Sequence, residues 1–123
     1  MKQVLLVFIG GGVGSAMRYL IGRWLNPLFE SFPLGTFLAN IIGCFIIGFT
    51  LELVVKGDHL THRQLLLIAT GFCGGFTTFS TFSLENFLFL KNGDYLHFLV
   101  YSISTFAIGL TAVLVGASSA KLF

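Results

Sequence analysis

The most unusual chemistry in this sequence lies in an apolar segment that carries the run Gly71-Phe72-Cys73-Gly74-Gly75-Phe76-Thr77-Thr78-Phe79-Ser80-Thr81-Phe82-Ser83. Paired glycines and two β-branched threonines are poor material for the middle of a regular helix. We predict that residues 74–78 interrupt a membrane-spanning helix and free backbone groups at membrane depth. Such backbone is tolerated only inside protein or beside a cavity, and broken helices build ion sites in transporters. Free carbonyls suit a small cation such as Na⁺, whereas free N–H groups and hydroxyls suit an anion.

Asn40 in another segment, together with Phe79 and Phe82 within this run, are candidates for contact with an ion. Asn40 lies six residues into another apolar segment, and polar side chains inside a membrane are costly and often functional. A ligand contact is the favoured interpretation of Asn40, although a buried amide also serves to hold helices together. Phe79 and Phe82 are three residues apart and lean to one side of a helix, and Phe76 extends that stripe if helicity holds. A ring edge faces an anion favourably, but lipid contact or packing is the usual role of such a stripe.

Charged residues are rare within the apolar segments. Arg18 lies in the first of them, where it either snorkels toward the headgroups or draws anions to a pore mouth. Glu52 and Glu85 are expected toward the ends of their segments, so no carboxylate is assigned to an ion path.

The sequence offers no catalytic constellation. His59, His62 and His97 fall in or beside loops, and the acids near them are Asp58 and Asp94, with no nucleophile placed to match. We therefore predict solvated loop histidines and no enzyme.

Two weaker signals also have plain explanations. The run Gly10-Gly11-Gly12-Val13-Gly14-Ser15 resembles a dinucleotide loop but has no soluble βαβ unit around it. Cys44 and Cys73 lie in apolar stretches with no histidine nearby, so we interpret both as small hydrophobic residues.

The composition places these residues in a lipid bilayer. Of 123 residues, 55% are hydrophobic and 10% charged, whereas a soluble domain carries roughly 25% charged residues. The mean hydropathy is +0.92. A net charge of +2, scattered along the chain, gives no indication of a nucleic-acid partner.

Four segments are long and apolar enough to cross a membrane, which needs about 20 residues each. We predict an all-α membrane protein of one domain, 1–123, with helices at about 4–25, 34–55, 65–90 and 96–115. A cleaved signal peptide is the alternative for the first segment, but its apolar pattern continues and no soluble mature protein follows.

The charges that flank the segments give almost no orientational bias. Lysine and arginine are divided four against three between the two sides: Lys2, Lys56, Arg63 and Lys121 against Arg18, Arg23 and Lys91. A chain so balanced could insert both ways and form an antiparallel homodimer, while a single orientation remains the simpler alternative.

Small residues recur at intervals of four, as they do where helices pack closely in lipid. The three stripes are Gly10, Gly14, Arg18 and Gly22; Gly35, Ala39, Gly43 and Ile47; and Tyr101, Thr105 and Gly109. Four tightly packed helices enclose little space, so a pathway is more easily built between two copies.

With these residues assembled, the chain resembles the Fluc (CrcB) family of fluoride ion channels over its whole length. The strings that carry the resemblance are Gly11-Gly12-Val13-Gly14-Ser15-Ala16-Met17-Arg18-Tyr19, Gly35-Thr36-Phe37-Leu38-Ala39-Asn40-Ile41-Ile42-Gly43, and residues 71–83. The fourth segment resembles the fourth helix of the family in its apolar character more than in its specific residues. The resemblance implies an antiparallel, dual-topology homodimer in a bacterial inner or plasma membrane, with two fluoride pores at the subunit interface.

The resemblance also assigns roles to individual residues. By this resemblance Asn40 would donate to fluoride, Phe79 and Phe82 would line the pore, and Arg18 would lie near a vestibule. The backbone carbonyls of Gly74 and Thr77 would hold a structural Na⁺ at the dimer centre. A polar track is formed by Ser80, Thr81, Tyr101 and Thr105. Gly109 stands where relatives can carry a hydroxyl, and Phe76 replaces a smaller aliphatic residue.

The function implied is passive export of fluoride down its electrochemical gradient, which lowers fluoride toxicity. Replacement donors spread over several positions would bind the ion without trapping it. The alternative is a small four-helix proton-coupled multidrug exporter. That mechanism needs a titratable carboxylate in the transport site, most naturally in the first segment, where this chain has none.

Overall fold

The computed structural model describes residues 1–57 and 60–123, and every regular element within those ranges is helical. Its helices are α1 (Lys2–Leu25), α2 (Leu34–Val55), α3 (His62–Leu65), a π-helix (Leu66–Cys73), α4 (Gly74–Phe76), α5 (Phe79–Lys91) and α6 (Tyr95–Ala120). Four helical stretches in the described ranges suit a bilayer: Lys2–Leu28, Leu34–Val55, His62–Lys91 and Tyr95–Ala120. The predicted all-α fold with four spans is confirmed, and the chain is a multi-pass membrane protein. The predicted loop positions of Asp58 and His59 lie outside the described residues.

The helices approach one another closely at glycines. A Cβ atom at Gly10 or Gly14 of α1 would collide with backbone atoms of the third span, at Leu67 and Phe72 respectively. Between α2 and α6 the pairs are Gly48 against the Val113 carbonyl and Gly116 against the Phe45 carbonyl. Because lipid gives no hydrophobic reason for helices to associate, such close backbone packing supplies much of the cohesion.

The connections between spans are short and anchored by side chains. Asn26 stands in a 3₁₀ turn after α1, and its side-chain oxygen accepts a 2.7 Å hydrogen bond from the amide of Gly35. Gly93 adopts φ 72° in the turn before α6, a conformation that favours glycine. At the far end of α6, Lys56 donates a 2.6 Å hydrogen bond to the Lys121 carbonyl, which ties the ends of α2 and α6 together.

The third span is broken, as predicted, but the break is shorter than residues 74–78. The chain stays helical through Gly74–Phe76, becomes extended at Thr77 (φ −83°, ψ 156°) and Thr78 (φ −150°, ψ 123°), and resumes as α5 at Phe79. The Thr78 hydroxyl caps α5 by accepting from the Thr81 amide at 3.2 Å. The glycines do not unwind the helix, and Gly75 instead allows contact with the backbone of α1.

The break also changes the aromatic stripe predicted from spacing. Phe76 is 2% exposed and stacks on Phe72 with ring centroids 5.1 Å apart. Two extended residues separate it from Phe79, so the rings on either side of the break no longer share a helical face. Phe76 is expected to extend the Phe79–Phe82 stripe only if helicity holds, and the extended backbone at Thr77 and Thr78 means that this condition is not met.

Candidate functional site

A lateral groove of about 550 Å³ runs between α2, the third span and α6. Six residues predicted for the site line this groove: Asn40, Gly74, Thr77, Phe79, Phe82 and Thr105. The rest of the lining is mostly apolar and includes Ile41, Cys44, Ile47, Leu110 and Val113. The groove therefore places a few polar groups of the break within an otherwise apolar surface.

The Asn40 amide is fixed on the backbone of the break. Its Nδ2 donates to the Thr78 carbonyl at 3.2 Å, and its Oδ1 accepts from the Thr78 amide at 2.7 Å. Holding protein segments together is thus one role of Asn40. A carboxamide nitrogen carries two N–H groups, and a single bond to Thr78 leaves the second N–H available to a ligand in the groove.

Two backbone carbonyls beside the break, those of Gly74 and Thr77, have lost the amide donors that a continuous helix would provide. In an unbroken helix, Gly74 and Thr77 would accept from the amides of Thr78 and Thr81. Those amides bond instead to Asn40 Oδ1 and Thr78 Oγ1. Within the described residues, no hydrogen bond reaches the Gly74 or Thr77 carbonyl. These two oxygens belong to groove-lining residues and fit a cation that prefers carbonyl ligands.

The two phenylalanines predicted to line a pore, Phe79 and Phe82, differ in exposure. Phe79 is 79% exposed, whereas Phe82 is half-buried, and their ring centroids lie 5.9 Å apart with planes at 39°. Phe82 also packs against Tyr101, at 5.1 Å between centroids. Both rings line the groove, with Phe82 held by packing and Phe79 open toward a partner or lipid.

A partly buried carboxyl group, whose contacts the sequence reasoning missed, joins three helices. Glu85 accepts from the Thr36 hydroxyl through Oε1 and from the Tyr101 hydroxyl through Oε2, each at 2.6 Å. Glu85 lies in the middle of α5 and in the last third of the span His62–Lys91, which agrees with its expected position toward a segment end. Glu85 lies three residues after Phe82, and residues three apart share a helical face. This spacing could have indicated that Glu85 faces the other helices.

The predicted polar track is only partly assembled in one protomer. Ser80 and Thr81 cluster with the Thr78 hydroxyl, at 3.3 and 3.2 Å. Tyr101 is fully buried beside Glu85, and the Thr105 hydroxyl is buried without a hydrogen-bond partner among the described residues. The structure thus gives no direct hydrogen bond between the two halves of the track.

Arg18 bonds to the helical turn that precedes the break. Its Nε donates to the Gly75 carbonyl at 3.0 Å, and the Ser15 hydroxyl donates to the same oxygen at 3.3 Å. This contact accounts for one nitrogen of the Arg18 side chain, and the choice between a snorkelling role and an anion-attracting role stays a prediction. Arg18 lines a second space of about 380 Å³, here called the polar pocket, with Tyr19, Gly22, Arg23, Asn26, Thr36, Thr78 and Thr81.

The remaining chemically active side chains form no further site in the part of the chain that is described. His97 bonds to Asp94 at 2.7 Å and stacks on Phe89 at the start of α6. Cys44 and Cys73 are free thiols in the apolar groove. Among residues 1–57 and 60–123, no three side chains of the metal-binding types come together.

Comparison with known proteins gives a consistent result over almost the whole chain. The profile of the family described as "CrcB-like protein, Camphor Resistance (CrcB)" matches residues 5–117. The chain is 50% identical over 117 residues to the "Fluoride-specific ion channel FluC" of Gloeothece citriformis, which covers 94% of both chains. It is 40% identical over 124 residues to the protein of that name in Azobacteroides pseudotrichonymphae, with 100% of this chain and 99% of the relative covered.

A third relative of the same name, from Helicobacter pylori, is 43% identical over 121 residues and covers 94% of this chain. These matches confirm the resemblance inferred from the motifs of the first, second and third spans. The chain therefore belongs to the CrcB family.

Proposed function

We infer that the chain is the subunit of a fluoride-specific ion channel that exports fluoride passively across the membrane. The relatives that cover nearly its whole length carry that name, and it describes a channel and not an enzyme. The main structural support is the Asn40 amide, which is hydrogen-bonded to Thr78 of the break. Its second N–H is available to a ligand in the groove that Phe79 and Phe82 also line.

The arrangement suits a small, strongly hydrated anion. Fluoride must exchange its water for other donors, and a few weak donors in sequence allow it to bind and leave. The second Asn40 N–H, the Ser80 and Thr81 hydroxyls and the positive ring edges of Phe79 and Phe82 would supply such contacts. The unpartnered Thr105 hydroxyl would add one more donor along the groove.

A homodimer would complete the groove, which is open along its side in one protomer. A methyl group at Gly74 would meet no described atom within 4 Å, so the protomer itself gives no packing reason for glycine there. Close approach of a second copy supplies such a reason. The nearly even distribution of lysine and arginine supports an antiparallel pair, in which fluoride pores lie between the copies.

A structural Na⁺ is proposed for the carbonyls of Gly74 and Thr77. Both oxygens are free of described hydrogen-bond donors and both residues line the groove. In a dimer, two copies of each carbonyl would give a cage of oxygen ligands for one hard cation. The ion would supply fixed positive charge at the centre of the assembly.

Fluoride efflux from liposomes tests the proposed function. Purified protein should release fluoride when a K⁺ ionophore balances charge, while chloride stays inside. A proton-coupled multidrug exporter would instead move a cationic dye in response to a pH gradient and would not release fluoride. Retained fluoride, or chloride leaving as quickly, contradicts the proposal.

Single-cysteine cross-linking tests the homodimer. A Cys44→Ala, Cys73→Ala background should remain active. In this background, one variant carries a single new cysteine at the start of α2 and a second variant carries one at its end. When the two variants are mixed, disulfides should join the start of α2 in one copy to the end of α2 in the other. Capture of same-end pairs alone would contradict the antiparallel arrangement without affecting the flux result.

A further inference from the structure

We propose that Arg18 is a positioning residue for the break: it holds the Gly75 carbonyl against α1 and leaves the Gly74 and Thr77 carbonyls to the cation. The proposal rests on the Na⁺ site suggested above. It gives Arg18, which bonds to the last helical turn before the break, a task distinct from attracting anions.

The break frees more backbone carbonyls than one cation site uses. The Gly75 carbonyl loses its helical donor, because the amide of Phe79 begins a new helix. Two side chains of α1 replace that donor, Arg18 Nε at 3.0 Å and Ser15 Oγ at 3.3 Å. Gly75 is therefore satisfied within the protomer, whereas Gly74 and Thr77 are not.

The two neighbouring glycines, Gly74 and Gly75, face different surroundings. A Cβ atom at Gly75 would collide with the Gly11 carbonyl of α1, whereas a Cβ atom at Gly74 would meet no described atom within 4 Å. Gly74 lines the groove and Gly75 does not. Fixing the rotation of α4 at Gly75 therefore fixes the direction of the groove-facing carbonyls.

The charge of Arg18 strengthens its contact with this end of the helix. The described residues contain one ion pair, between His97 and Asp94, so the Arg18 guanidinium has no carboxylate within 4.0 Å there. It lies instead where the helical run of residues 62–76 ends, and a helix C-terminus favours positive charge. A hydrogen bond from a charged donor is also stronger than one from the Ser15 hydroxyl. Arg18 is thus the main tether of this end of the helix.

Arg23 provides a matched control. It lies on the same helix, carries the same charge and lines the same polar pocket, yet no hydrogen bond joins it to the described part of the chain. If Arg18 acts only by attracting anions, Arg18→Gln and Arg23→Gln should resemble each other. If Arg18 positions the break, only Arg18→Gln should change cation binding.

The test measures the thermal unfolding temperature of purified full-length protein against Na⁺ concentration, with N-methylglucamine keeping the ionic strength constant. Arg18→Gln should raise the Na⁺ concentration for half-maximal stabilisation by about tenfold, as expected for losing one charge-assisted hydrogen bond. Arg23→Gln should leave that concentration unchanged, and Arg18→Lys should recover part of the loss. An unchanged value in Arg18→Gln overturns the proposal. Absence of any Na⁺ effect in the unmodified chain overturns the cation site as well, while fluoride efflux separately tests the channel function.

Solid-state NMR gives a readout that does not depend on the cation. Labelling with ¹³C′-glycine and ¹⁵N-phenylalanine selects three Gly–Phe pairs, at residues 48–49, 71–72 and 75–76. Arg18→Gln should move the Gly75 carbonyl signal and leave the other two in place. Arg18→Lys, which keeps the charge, provides the comparison if Arg18→Gln does not fold. A Gly75 signal that stays fixed in both variants overturns the proposal.

Discussion

Asn40 and Thr78 are joined by two hydrogen bonds, one to each backbone group of Thr78. The Asn40 oxygen takes the place of the Gly74 carbonyl that the Thr78 amide would meet in a continuous helix. One side chain on α2 thus stabilises the extended residues of the third span while keeping an N–H group free. Structural support and ligand contact are therefore compatible roles for the same amide.

Asn40→Asp should abolish fluoride flux. The new carboxylate still accepts from the Thr78 amide, but it cannot donate to the Thr78 carbonyl and would repel an anion. The lost N–H donor leaves a carboxylate oxygen facing the Thr78 carbonyl oxygen, and this should also lower the unfolding free energy by about 1–3 kcal/mol. Liposome efflux and thermal unfolding measure the two effects, and unchanged flux would remove Asn40 from the pore.

Gly74→Ala and Gly75→Ala should separate assembly from folding. Alanine at Gly75 collides with the backbone of α1, so the protomer should unfold at a lower temperature. Alanine at Gly74 fits the protomer and favours the helix by about 0.4–1 kcal/mol, yet it should weaken the dimer. Analytical ultracentrifugation in detergent compares the two variants. A Gly74→Ala protein that dimerises normally would contradict close approach of a second copy at this residue.

Glu85 and Tyr101 should be energetically coupled. Tyr101→Phe removes one hydroxyl donor to the Glu85 carboxyl group. Glu85→Gln replaces one accepting oxygen by an NH₂ group, which would face a hydroxyl donor. Each change should cost about 1–3 kcal/mol, and the double variant should cost less than their sum because the residues are in contact. Chemical denaturation of all four proteins provides the cycle. Glu52→Gln serves as the control, since no hydrogen bond links the Glu52 side chain to described residues, and strict additivity would contradict the coupling.

The positions of the spans, the break and Asn40 could be predicted because each depends on local sequence. Long apolar runs must cross the bilayer, and an amide within such a run must find a partner. The exact bounds of the break could not be predicted. Glycine both weakens a helix and permits close packing, and only the contact of Gly75 with Gly11 shows that packing is the reason here.

The partners of Arg18 and Glu85 could not be predicted for a different reason. Both depend on how the two halves of the third span are rotated about their axes, and the extended residues Thr77 and Thr78 set that rotation. Helical spacing does not carry across such a break. The contacts of Arg18 with Gly75, and of Thr36 with Glu85, therefore emerge only in three dimensions.

Asp94 should contribute stability that depends on pH. Its hydrogen bond with the His97 ring holds the pKa of this carboxyl group below its usual value. A lowered pKa in the folded state means that the contribution is present above the unfolded-state pKa and is lost as pH falls through the lowered value. Asp94→Asn retains an oxygen that can cap α6 but removes the charge. Its unfolding temperature should lie below that of the unmodified chain at neutral pH and converge with it in acid, and a constant difference would contradict this role.

Thr105→Val should separate a functional role of the hydroxyl from a structural one. The Thr105 oxygen is buried and has no hydrogen-bond partner among the described residues, and such a group costs about 1–3 kcal/mol when left unpaired. Valine has nearly the same shape without the hydroxyl, so the protein should be at least as stable. If the hydroxyl serves a passing fluoride ion, efflux should nevertheless fall several-fold. Thr111→Val is the matched control, because the Thr111 hydroxyl already bonds to the Ala107 carbonyl of its own helix at 2.8 Å and is exposed. A stable Thr105→Val protein with undiminished efflux would show that this hydroxyl has no part in conduction.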